Sequence, residues 1–71
     1  MKKQNKHIVA WDTIFTIHKK RYKVVGSINK AGKIIKWLIR PLYGGNDFVK
    51  ESNELDKILR KHKDENKHLL Y

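Results

Sequence analysis

The chain contains no cysteine. A disulfide scaffold and any thiolate metal site are thereby excluded, and a reducing cytoplasm is the easiest compartment to assume. No apolar run nears the roughly 20 residues needed to cross a bilayer, and residues 1–6 carry charge without the apolar stretch of a secretion signal. The sequence therefore predicts no membrane span. Proline occurs once, as Pro41, and glycine four times, so punctuation is sparse and each occurrence is informative. Acids are scarce in one region only. Residues 1–50 hold Asp12 and Asp47 against twelve Lys and Arg, whereas residues 51–71 hold five acids and five bases, so the whole excess of +10 lies in the first part.

Seventy-one residues, 39% of them hydrophobic, make one small domain with little apolar material to spare for a deep substrate pocket. The division that composition suggests is a β-rich body over 8–49, a helix over 52–63, and tails at 1–6 and 64–71 open to flexibility, the last residues either fraying or docking through Leu69, Leu70 and Tyr71. Between Ile8 and Arg40 the chain is rich in Ile, Val, Thr, Trp, Phe and Tyr, which is strand chemistry. In the run Trp11–Ile17, alternation sets Trp11, Thr13, Phe15 and Ile17 on one side and Asp12, Ile14 and Thr16 on the other. A second strand begins near Arg21. Lys19-Lys20 before it offers no Gly, Asn or Asp for a tight primed turn, so this link is left open.

Asn29-Lys30-Ala31-Gly32 specifies the next connection better, as a type I turn with Gly32 in a bulge and Asn29 opposite Lys33. In that register Val24 faces Leu38 and Ile28 faces Ile34. Both faces of the hairpin are partly apolar, as in a curled sheet, a small barrel, or a sheet with a helix on one side. The hairpin Tyr22–Ile28, Ile34–Trp37 resembles part of a small SH3-like barrel of the kind found in RNA- and ribosome-associated proteins, which implies a barrel. Pro41 and Gly44-Gly45 end the third strand in a loop, and Phe48-Val49 returns as a short strand. Ser52 or Asn53 then caps a helix whose Leu55, Ile58, Leu59 and His62 follow the i, i+3, i+4, i+7 pattern. The fold class expected is α+β: a small antiparallel sheet or SH3-like barrel of three to four strands, followed by a C-terminal helix. Its core is predicted from Phe15, Val24, Ile28, Leu38, Leu55, Ile58 and Leu59.

The candidate site is the basic cluster Lys19, Lys20, Arg21 and Lys23 with Lys30, Lys33, Lys36 and Arg40 on the neighbouring strand. Trp37 and Tyr43 are interleaved with it as rings on which unpaired bases could stack. For Trp37 a place in the core is the favoured reading, since so short a chain needs its large aromatics for burial. Fourteen of the seventeen bases are Lys, which offers a point charge rather than a planar fork, so contact with phosphates is expected over reading of base edges. Lys, Ile and Asn all have A and T-rich codons, and part of the charge fits an A and T-rich genome such as a phage or mobile element.

Catalytic constellations are not found. His7, His18, His62 and His68 stand at no recognisable spacing from a nucleophile, although His18 beside the basic cluster has the chemistry for acid or base work in RNA cleavage. No HExxH motif, Cys pair or phosphate-cradling loop is present, so neither a metal nor a cofactor is expected. Lys33–Arg40 can be drawn as a cationic amphipathic helix for a membrane surface, but its β-branched pairs, the turn before it and Pro41 after it favour a strand. The sequence thus predicts a cytoplasmic, non-enzymatic binder of DNA or RNA with low specificity. A second class of function is a protein that binds and modulates a larger, acidic host protein.

Overall fold

The computed structural model describes residues 8–70. Four antiparallel strands, β1 (Ile14–Ile17), β2 (Lys20–Lys30), β3 (Lys33–Pro41) and β4 (Phe48–Glu51), form one sheet in the order β1-β2-β3-β4. Helix α1 (Ser52–Lys61) follows β4 directly, then a 3-10 turn (Lys63–Glu65) and a short helix α2 (Lys67–Leu70). This is the α+β class that the residue pattern predicts. The sheet is open and does not close into a barrel, because β1 and β4 lie at its two edges and the outer edge of β1 is occupied by the C-terminal segment.

Alternation along each strand decides what α1 covers. Phe15, Tyr22, Val24, Trp37 and Ile39 point to the helix side, where Phe15, Val24, Trp37 and Ile39 form a buried core with Val9, Leu55 and Leu59. Ile28 and Leu38, expected in that core, lie on the opposite face instead, and Ile28 is 43% exposed. Leu38 is turned away because Val24 pairs with Ile39 rather than with Leu38, and Ile28 because of a bulge: Gly26 pairs with Leu38, so Val25 is an extra residue that reverses the facing of the β2 residues after it. A second irregularity between Ile28 and Asn29 restores the register, so that Lys30 pairs with Lys33. The turn between them is the two-residue Ala31-Gly32, both at positive φ (52° and 77°), rather than the type I turn with a bulge. Ile58, also expected in the core, is only half-buried.

The helix ends differ from their sequence signals in one respect. Glu51, not Ser52 or Asn53, is the N-cap residue; it makes no side-chain capping bond, and Ser52 lies buried in the first turn. Beyond Lys61 the chain folds back onto β1 instead of trailing away. Asn66 is fully buried there, and of the two alternatives for the C-terminal residues, fraying or docking, residues 64–70 dock; residues 1–6 and Tyr71 lie outside the described residues.

Candidate nucleic-acid interface

The face of the sheet turned away from α1 carries side chains in rows fixed by strand register. One row reads Ile14, Lys23, Arg40; the next Gly26, Leu38, Val49; the next Ile28, Lys36, Glu51; and Arg21 stands beside Thr16 at the end. Lys23 and Arg40 are direct cross-strand neighbours, an arrangement of like charges that is destabilising by itself. Both are answered. Lys23 Nζ lies 3.7 Å from Asp12 Oδ1, and Arg40 makes a two-pronged pair with Asp47, Nε to Oδ1 at 3.0 Å and Nη2 to Oδ2 at 3.1 Å. The Arg40 hydrogen bonds hold the Asp47 carboxyl below its ordinary pKa and raise that of the guanidinium. The only two acids of residues 1–50 are thus spent on one pair of bases, and Lys36 has Glu51 as its cross-strand neighbour. The middle of this face is close to electrically balanced.

The surplus is at the ends of the β2–β3 hairpin. Lys30 and Lys33 face each other across the Ala31-Gly32 turn, both exposed and with no acid paired to either among the described residues. At the other end Lys19, Lys20 and Arg21 follow one another through the β1–β2 turn. Ten residues of extended chain separate Lys20 from Lys30, about 33 Å, along a molecule whose longest extent is 38 Å.

Strand alternation also separates the rings from the bases. Trp37 is 1% exposed and belongs to the core, which corrects its candidacy as a stacking platform. Tyr43 is 58% exposed but stands on the helix side, where its ring meets the edge of Tyr22 and lies 5.0 Å below Lys20 Nζ. A hydrogen bond with Tyr43, and then burial, push the Tyr22 phenol above its ordinary pKa. Of the ten candidates, Arg21, Lys23, Lys36 and Arg40 share the open face, Lys30 and Lys33 form one tip, Lys19 and Lys20 the other, and Tyr43 pairs with Lys20. The exposed tryptophan is Trp11, whose indole N–H donates to Ser27 Oγ at 3.2 Å.

The second tip is built from distant residues. His18 and Lys19 form a two-residue turn with φ of 52° and 68°, in the left-handed region that costs ordinary residues about 1–3 kcal/mol each. Their backbone N–H groups both donate to the Glu65 carboxylate, at 3.1 and 2.7 Å. The Lys19 bond is the main reason that this carboxyl is held below its ordinary pKa; burial opposes it, and the His18 N–H and His62 assist. His62 Nδ1 lies 3.2 Å from Glu65 Oε1, and its ring meets the edge of the His18 ring with centroids 4.7 Å apart. Two imidazoles in direct contact leave no room for a phosphate between them, so the pair lacks the geometry of an acid and a base acting from opposite sides. Nothing in the spacing of His18, His62 and Glu65 along the chain signals this cluster.

No family model matches the chain, and no curated protein or solved structure matches it either.

Proposed function

We propose that this protein binds nucleic-acid phosphates without catalysis and with little sequence preference, and that the two tips of the β2–β3 hairpin make the contact. The observation that carries this reading is the pair of cationic ends, whose base side chains make no ion pair with an acid among the described residues. Lys30 and Lys33 are held opposite one another by the ladder, so their repulsion is built into the fold and is relieved when an anion sits between them. A separation of about 33 Å along β2 is close to one turn of a B-form duplex, ~34 Å, so both tips reach the phosphates of a duplex that runs along the hairpin. Lysine at each tip favours the backbone over base edges, and the aliphatic side chains of the open face carry no groups that read sequence.

The test is binding of duplexes shorter and longer than one turn, of unrelated sequence, over a range of salt. The longer duplex should bind more tightly by at least tenfold at low salt. Replacing Lys30 and Lys33 by Ala should lower the slope of log affinity against log salt by about 1.8, since roughly 0.9 is contributed by each phosphate contact. Replacing Lys57 and Lys61 on α1, where acids are interspersed, should change it much less. Equal losses in the two variants would remove the hairpin tips from the site. Absence of binding at low salt would overturn the reading altogether and leave docking to a larger acidic protein as the leading one.

A further inference from the structure

We infer that the helix side of the sheet holds a second site, a groove for an unbranched aliphatic carboxylate of about six to eight carbons. The groove exists because the covering is too short: ten residues of α1 span about 15 Å, against about 36 Å for the eleven residues of β2. At the end where Tyr22 and Phe48 lie, sheet and helix leave a space of about 210 Å³. Its floor is the core itself, Phe15, Ile39 and Leu55, and its rim includes Phe48, Ile58 and Lys50.

The charge pattern identifies the occupant. Lys50 is the one charged residue lining the groove; no acid lines it, and no acid pairs with Lys50 among the described residues. A second cation, Lys20, stands over Tyr43 just beyond Tyr22. An apolar slot with a cation at its mouth suits a molecule with an apolar body and one anionic end. The space equals that of about seven waters at ~30 Å³ each, and a methylene is of similar size, which sets the chain length. Lys50 stands on the helix side of the sheet, opposite Trp37, and is not one of the tip residues, so its replacement tests the groove without altering the hairpin tips.

The experiment is titration of the full chain with hexanoate, octanoate, dodecanoate and octanol, each below its micelle concentration, followed by side-chain NMR and thermal melting. Octanoate should shift the resonances of Phe48, Leu55 and Ile58 and raise the melting temperature. Affinity should grow roughly threefold to fourfold per methylene up to about eight carbons and then level off. Octanol should bind at least tenfold more weakly than octanoate. Lys50→Ala should abolish that preference while leaving octanol binding unchanged, and Ile58→Trp, which fills the slot, should remove both. Octanoate binding that survives both substitutions, shifts confined to Ile14 and Val49 on the open face, or no saturable binding would each overturn the inference.

Discussion

The two two-residue turns of the sheet, β1–β2 and β2–β3, share a backbone conformation and are held by different means. Ala31-Gly32 is a local solution: a glycine at φ 77° supplies half of the left-handed pair, and the partner strands run on for many residues either side. His18-Lys19 has no glycine, and its N–H groups are satisfied by Glu65, a residue 46 and 47 positions away in the chain. The same contrast extends to the strands. β2 and β3 are long and mutually paired, whereas β1 has four residues and borrows its second edge from the C-terminal segment. There Asn66 Oδ1 accepts from the Thr16 N–H at 2.7 Å, its amide donates to Thr16 O at 2.7 Å and His62 O at 2.9 Å, and His68 Nε2 donates to Ile14 O at 2.9 Å. One side-chain amide thus stands in for a neighbouring strand. The lesson is that the central hairpin is encoded where it lies, while the first strand is encoded partly at the far end of the chain.

The substitution that should break this comparison most strongly is Asn66→Ala. It leaves the Thr16 N–H and carbonyl without their partner in a partly buried place, while the His62 carbonyl keeps the Glu65 N–H, at a cost of about 2–4 kcal/mol. Hydrogen exchange should show the amides of β1 losing protection well before those of β2 and β3. Uniform loss across all four strands would mean that β1 is not separately anchored.

A smaller effect is expected at the other turn. Gly32→Ala meets no atom within 4 Å, so its cost comes from the positive φ alone and should be about 1 kcal/mol in denaturant melts. Because this turn is local, protection should fall at the ends of β2 and β3 and stay unchanged in β1.

The finest distinction is in the pH dependence. Glu65 is held below its ordinary pKa in the folded chain, so its contribution is complete above the unfolded carboxylate value, ~4.3, and is lost as pH falls through the folded one. Glu65→Gln should therefore lower the melting temperature near neutrality, and the gap between the two proteins should close in acid. A gap that stays constant would show that the amide replaces the carboxylate without loss. Gly32→Ala, which alters no titrating group, should show a constant gap.

Much of this molecule is legible in the residues. The run of β-branched and aromatic residues gives strands, Pro41 and Gly44-Gly45 give the loop before β4, and Leu55 and Leu59 give the buried face of α1, because each is a local preference with the right period. The localisation of charge before residue 51 is likewise a property of the sequence alone. Where the bases end up is not. Alternation with a period of two sends neighbours to opposite faces, so Trp37 is parted in space from the Lys36 beside it in sequence, and a single extra residue at Val25 exchanges Ser27 and Ile28 between the two sides.

The tertiary structure alone decided four things: that Trp37 is core, that Asp12 and Asp47 neutralise Lys23 and Arg40, that the uncompensated bases stand at the hairpin tips, and that Glu65 and Asn66 complete β1. Each depends on groups that no local period relates, brought together by strand pairing on the open face, by the packing of α1 for Trp37, and by the return of the C-terminal segment to β1 for Glu65 and Asn66. The sequence by itself determined the kinds of element, their order and the sign of the charge.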